Sequence, residues 1–230
     1  MVKGLIKQVV PPVLWYAMSA LKRRLDLRRP AAQPAEGEQS LHDYWDPKMA
    51  QILETWGDDN VWIEVQSMFA ARAGRVLDIA CGTGKVMELL ARLPDLEVHG
   101  FDISDMLIDK AVARGIPRDR LRVCDATRTT YEAGSFDFGY SIGSLEHFTD
   151  DGIVQFLREC RRVVAGPAFH QLLVSVDGQD HGWIRTFQSY YNNSADWWLS
   201  RFRQVYPRVY VVDSTWKDSI SRGKWFVCPR

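Results

Sequence analysis

Three acids and two glycines stand where runs of β-forming residues stop. Residues 76–86 read VLDIACGTGKV, which places Asp78, Gly82 and Gly84 at the end of one run. Asp102 closes the next, in HGFDIS, twenty positions after Gly82, and Asp125 closes the third, in CDAT. An acid at the second place can accept hydrogen bonds from both ribose hydroxyls of a ligand. Glycine lets the backbone approach a ligand closely because it has no side chain. Two phosphate-binding readings fail on spacing. A triphosphate loop, GxxxxGK[ST], would need glycine at Ile79 and a hydroxyl at Val86. A dinucleotide loop, GxGxxG, would need its third glycine at Met87 for close helix packing. A ligand without phosphate is left.

The elements that must hold these residues alternate in type. Residues 41–72 read as helical, with Tyr44, Trp45, Trp56, Trp62 and Phe69 among them. Seven strands are predicted at Arg75–Ala80, Glu97–Phe101, Leu121–Cys124, Phe136–Ser141, Phe169–Val176, Arg208–Val212 and Lys224–Cys228. Helices are predicted at Lys85–Leu93, Asp105–Arg114, Asp151–Val163 and Ser194–Arg203. Apolar strands alternating with helices predict an α/β fold, a doubly wound, seven-stranded, mostly parallel sheet covered on both faces. Ligands of such sheets sit at the carboxyl ends of the strands.

The chain of 230 residues is long enough for one sizeable domain, and its formal net charge is zero. The zero is uneven. Residues 1–29 hold seven basic residues against Asp26, which leaves +6 there and −6 in the remainder. Leu14, Met18, Leu21 and Leu25 recur at helical spacing after Pro11-Pro12, with Trp15 and Tyr16 near the start. An amphipathic helix of that composition suits an anionic membrane surface or a protein face. Residues 30–40 read as a linker, and residues 41–230 as the main domain. The prolines and the basic tract argue against a cleaved signal peptide. The four cysteines are scattered, which predicts reduced thiols and no metal site. No basic stripe crosses the main domain, so nucleic acid is not an expected partner.

The loop and the acids after it resemble the class I S-adenosylmethionine-dependent methyltransferases, whose loop reads acidic-x-G-x-G-x-G. Asp78 to Gly84 match it with Ala80 at the first glycine. The resemblance covers about residues 74–176 and implies a Rossmann-like methyltransferase fold with S-adenosyl-L-methionine as cofactor. It implies Asp78 near the methionine end, Asp102 on the ribose and Asp125 on the adenine amino group. Ala80, Gly82, Gly84, Ile103, Met106, Ala126 and Ser141 are the further cofactor contacts it implies. Tyr44, ahead of the first strand, is expected to help close the site.

Methyl transfer to an alcohol needs a base as the proton leaves. His147 in SLEHF and His181 in DGQDHGW are the candidates, with Asp180 placed to orient His181 or act itself. Glu146 is expected to face solvent, and Asp177 reads as a strand-end residue. Trp183, Arg185, Tyr190 and Tyr191 lie in an aromatic run, where rings can stack on an acceptor and polar edges can bind hydroxyls. Trp197 and Phe202 in the same run read equally well as helix core. The N-terminal segment resembles the leaders of enzymes that build bacterial surface polysaccharides. That likeness implies a cytoplasmic O-methyltransferase, peripheral on the membrane, acting on a saccharide of a lipid-linked O-antigen or capsular glycan. The alternatives are a small-molecule methyltransferase for a quinone or natural product, and a non-catalytic partner in glycan synthesis. Oligomers are compatible with all three.

Overall fold

The computed structural model describes residues 46–185 and 188–230; the helix expected over residues 1–29, the expected linker and Tyr44 lie outside them. Two short helices come first, α1 (Pro47–Leu53) and α2 (Val61–Phe69). The single helical stretch expected over residues 41–72 is thus divided. Gly57, Asp58, Asp59 and Asn60 are turn formers, Asp59 adopts φ +61°, and Asn60 caps α2.

The alternating part follows as β1 (Gly74–Ile79), α3 (Lys85–Leu90), β2 (Leu96–Asp102), α4 (Asp105–Ala113), β3 (Leu121–Val123), β4 (Phe138–Ile142), α5 (Asp150–Val163) and β5 (Ala168–Ser175). Caps fix where the helices begin. Ser104 Oγ accepts the Leu107 N–H at 3.3 Å, and Thr149 Oγ1 accepts the Gly152 N–H at 3.1 Å. Asp150 and Asp151 in the first turn of α5 and Arg161 and Arg162 in its last turn complement the helix dipole.

After β5 come a small hairpin, β6 (Trp183–Ile184) with β7 (Tyr190–Tyr191), then α6 (Ala195–Phe202), β8 (Tyr210–Lys217) and β9 (Ser221–Cys228). The main sheet runs β3-β2-β1-β4-β5-β9-β8, parallel through β5, with β9 antiparallel to both neighbours. All seven expected strands are present, and the β6–β7 hairpin is an addition. β8 is longer than expected because it is an edge strand with mostly exposed side chains, so its sequence lacks a buried face.

Central strands are buried on both sides, which is why they read as continuous apolar runs. On β1, Leu77 and Ile79 pack with Phe101, Phe136, Phe156 and Phe226 on one face; Val76 packs with Phe69, Tyr140, Phe169 and Trp225 on the other. Glu64 of α2 ties that second face to the β8–β9 hairpin. Its carboxylate accepts the Ser214 hydroxyl at 2.7 Å, the Thr215 N–H at 2.5 Å and the Trp225 indole N–H at 2.6 Å.

Candidate functional site

A cleft of about 660 Å³, counting its open mouth, lies over the carboxyl ends of β1, β2, β3 and β4. It is lined by Ala80, Gly82, Asp102, Ile103, Asp125 and Ala126, and on the far side by Gly143, Ser144, Phe148 and Gln188. A second hollow shares Leu53, Ala80, Gly82 and Ile142 with it and adds Asp78, Trp56 and Lys85. The two form one continuous depression, with Asp78 at one end and Asp125 at the other.

Backbone geometry builds the glycine loop. Gly82 and Gly84 adopt φ +55° and +71°. A side chain at Gly82 would start 3.1 Å from Leu53 Cδ1, at the common edge of both hollows, so this glycine is the cradle. Gly84 serves packing instead: a Cβ there would meet Ala111 Cβ of α4 at 2.8 Å, and the residue caps α3. Ala80, at the first glycine of the motif, is itself left-handed at φ +59°. Met87, the place of a dinucleotide loop's third glycine, packs on Gly100 of β2, where a Cβ would come within 2.5 Å of its sulfur. Close helix–strand approach is preserved with the glycine on the strand.

Asp102 is 5% exposed and accepts the Gly82 N–H at 2.9 Å and the Ser104 N–H at 3.0 Å. Each oxygen keeps a lone pair for a ligand hydroxyl. Burial pushes its pKa up, against the pull of those N–H groups. Asp78 is also buried and accepts the Tyr140 hydroxyl at 2.7 Å. Burial raises its pKa to about 7; the Tyr140 bond opposes the rise, and the Asp102 charge adds to it. Asp125 is exposed, with Oδ1 accepting the N–H and the hydroxyl of Thr127, both at 2.8 Å. Arg114, at the end of α4, clamps this half. It donates to Glu54 after α1, to Glu88 of α3 at 2.9 Å and to the Thr83 carbonyl of the loop at 3.0 Å.

Two expected cofactor contacts lie elsewhere. Ser141 is fully buried in β4, its hydroxyl 2.8 Å from His170 Nδ1, and the cleft is lined by Ile142, Gly143 and Ser144 after it. Met106 is replaced by its neighbour Leu107, the residue of the first turn of α4 that faces the cleft. The thiols of Cys81, Cys124, Cys160 and Cys228 are free, and the described residues hold no group of acids, cysteines and histidines placed for a metal.

Neither candidate base is among the residues lining the cleft, and the two differ in their surroundings. The His147 ring nitrogen Nδ1 is 2.7 Å from the Ser189 carbonyl, to which it donates, and the ring meets Tyr190 edge-on. Burial lowers its pKa to about 4, against the pull of the Ser189 and Gly143 carbonyls. His181 lies outside the lining of the cleft and is bonded at 3.0 Å to Asp177. Asp177, expected only to end a strand, is thus its partner. Asp180 accepts the Ser194 N–H at 2.9 Å, at the start of α6, and the partner of His181 is Asp177 instead. Trp183 and Tyr191 are core residues, 6% and 2% exposed; their rings meet edge-to-face, and Tyr191 also packs at a tilt on Trp197. Arg185 is exposed, and neither it nor Tyr190 lines the cleft. Glu146 does not face solvent: it is 1% exposed. Trp56, Gly143, Phe148 and Gln188 enter the site with no motif to announce them. The glycine in YSIGS is the one signal that could have been read.

The strand order and the reversed β9 are those of the Rossmann-like methyltransferase fold, with Asp78, Asp102 and Asp125 at or just past the ends of the first three strands. Residues 76–166 match the family model described as a methyltransferase domain. It is 31% identical over 134 residues to 27-O-demethylrifamycin SV methyltransferase of Amycolatopsis mediterranei, covering 56% of this chain and 48% of that protein. It is 34% identical over 113 residues to demethylmenaquinone methyltransferase of Thermotoga maritima, covering 48% of each. The chain spans about half the length of the curated relatives it matches. Among solved structures it resembles Haemonchus contortus phosphoethanolamine N-methyltransferase 2 in complex with S-adenosyl-L-methionine. That match has a TM-score of 0.64 at 17% identity over 84% of this chain and 60% of that one, a likeness of fold.

Proposed function

We propose that this chain transfers a methyl group from S-adenosyl-L-methionine to a hydroxyl of a small, largely apolar molecule. The observation that carries the reading is the continuous depression with Asp78, Gly82, Asp102 and Asp125 spaced along it. Asp102 would hold the ribose hydroxyls, Asp125 the adenine edge and Asp78 the amino-acid end. The bound cofactor supplies an electrophilic methyl group on a sulfonium.

Leu53, Trp56, Ile142 and Phe148 give the cleft apolar walls, which suits a quinone or natural-product acceptor. The relatives named for rifamycin and menaquinone precursors support the same class. His147 is our choice of base. Its Nδ1–H is donated to Ser189, so the neutral ring leaves Nε2 to accept the acceptor's proton. Calorimetry with S-adenosylmethionine, then labelled methyl transfer to a panel of quinols, phenolic polyketides and saccharides, tests the reading. Label in the quinol or polyketide supports it; label only in a saccharide restores the glycan acceptor; an absence of cofactor binding leaves a non-catalytic partner. We further propose that the +6 segment of residues 1–29 touches an anionic membrane surface, checked by co-sedimentation with anionic against neutral vesicles. Among the described residues no helix is long and apolar enough to cross a membrane.

A further inference from the structure

Beside the hollow that holds Asp78, an aromatic ring and a buried acid both lie within 4 Å of the place a Gly143 side chain would take. Gly143, at φ +60°, lines the cleft. A Cβ built on it would stand 3.2 Å from the Trp56 ring on one side and 3.9 Å from Glu146 Oε1 on the other. Trp56 in turn lines the hollow that contains Asp78. Glu146 is 1% exposed, and its Oε2 has no hydrogen-bond partner.

We propose that Glu146 is a buried counter-charge for a cationic ligand group at this end of the cleft, and so favours the sulfonium cofactor over its neutral thioether product. The proposal rests on the cofactor reading above. An aromatic face beside carboxylates is the surrounding that attracts a desolvated cation. A buried carboxyl with one unpartnered oxygen is costly to ionise and gains most when a positive charge arrives. The groups facing it are few. Its donors are its own N–H and the Leu173 N–H of β5, and burial holds its pKa at about 8, so the acid is neutral in the empty cleft. His147, next in sequence, is turned to the Ser189 carbonyl, and Asp78 lies beyond Trp56. Lys85, the basic residue lining this end, sits 5.5 Å from the Trp62 ring centroid. A Gly143 side chain would fill the gap between carboxyl and cleft, which accounts for the glycine in YSIGS.

Two measurements test this on the full chain, and neither needs an acceptor. The first is the ratio of affinities for S-adenosylmethionine and S-adenosylhomocysteine in the native chain and in Glu146→Gln. The amide oxygen can still accept the Leu173 N–H. At pH 9, above the pKa of about 8 so that Glu146 is ionised in the empty cleft as well, removing one charge about 10 Å from another at an effective dielectric near 20 should weaken the sulfonium ligand roughly tenfold and leave the thioether within about twofold. Equal change for both ligands, or none, overturns the proposal. The second keeps the native sequence, in case the variant does not fold. Calorimetry in two buffers of different ionisation heat at neutral pH should show more protons released by S-adenosylmethionine than by S-adenosylhomocysteine. Equal release overturns the proposal. If the native chain binds neither ligand, the cofactor reading itself has failed, a result distinct from both.

Discussion

The two halves of the cleft are built by different means. The half that would hold the nucleoside is backbone work. Asp78 and Asp102 lie in the last two residues of β1 and β2, the loop at 80–84 follows β1 and Asp125 follows β3; Asp102 and Asp125 accept backbone N–H groups of Gly82, Ser104 and Thr127, and Asp78 accepts the Tyr140 hydroxyl. The half that would hold the acceptor is assembled from distance. His147 is fixed by the Ser189 carbonyl, 42 positions on, and Trp56 of the α1–α2 turn meets Trp216 of β8 at 6.2 Å between ring centroids. The sheet dictates the first half; side-chain packing among three loops decides the second. A change in one half should therefore leave the other nearly intact, and the expectations below set out to break that separation.

The largest effect is expected from the acceptor half. His147→Ala should lower kcat by roughly 10²- to 10⁴-fold, the usual contribution of a general base. The cofactor Kd should change much less than kcat, because the ring meets the cleft lining only through the Gly143 carbonyl. His181→Ala should leave kcat within about twofold, since that ring is bonded to Asp177 away from the cleft. A cofactor Kd that moves with kcat in His147→Ala would break the separation.

Next comes Asp102→Ala in the nucleoside half. It removes the acceptor for the Gly82 and Ser104 N–H groups as well as the ribose contact. With charge-assisted bonds at about 1.5–3 kcal/mol each, cofactor affinity should fall roughly 100-fold or more. Any residual turnover at saturating cofactor should keep the native acceptor KM.

These expectations rest on residues of unequal legibility. Asp78, Gly82, Asp102 and Asp125 could be located from sequence because a strand's last residue and its loop sit at a fixed place on a parallel sheet. Ser141 and Met106 missed by one residue each, and in both cases the neighbour faces the cleft. Strand pleat and helix phase decide such a choice, and neither is resolved at that precision by apolar periodicity. The aromatic run after β5 misled for another reason. Trp183 and Tyr191 pair across the β6–β7 hairpin, too short to leave a period, and pack into the core with Trp197. Trp56 and Glu146 belong to the site only through tertiary contacts.

A moderate effect should separate the halves by pH. The folded pKa of Asp78 is raised to about 7 from 3.8, chiefly by burial, so the empty protein favours the protonated acid. Its contribution to stability is present in full below about pH 4 and is lost as pH rises through 7. Glu146, raised to about 8, acts in the same direction. His147 has the opposite sign. Its pKa is lowered to about 4, so its contribution is present above 6.5 and is lost as pH falls toward 4. A cofactor that needs Asp78 ionised should gain up to about tenfold in affinity for each unit of pH rise below 7, and level off once pH has also passed the Glu146 pKa of about 8. Thermal melts with and without S-adenosylmethionine from pH 5 to 9 would show the two trends crossing. A cofactor shift independent of pH would remove Asp78 from the contact.

The smallest effect concerns one methyl group. Ala80 occupies the first glycine of the loop at φ +59°, a conformation that costs a residue with a Cβ about 1–2 kcal/mol relative to glycine. The neighbours over-determine it: the Cys81 N–H is held by the Phe101 carbonyl at 2.8 Å, and the Gly84 N–H by the Cys81 carbonyl at 3.0 Å. Ala80→Gly should relieve that strain. Glycine also loosens the unfolded chain, so the net gain should be at most about 1 kcal/mol. In a chain of this size that is roughly 2–4 °C in Tm. Because Ala80 lines both hollows, the same change widens the cradle, and cofactor affinity should move by less than about threefold. A lower Tm with weaker cofactor binding would mean that the methyl group packs against the ligand. The alanine would then be a contact of the nucleoside half, and its strain the cost of making that contact.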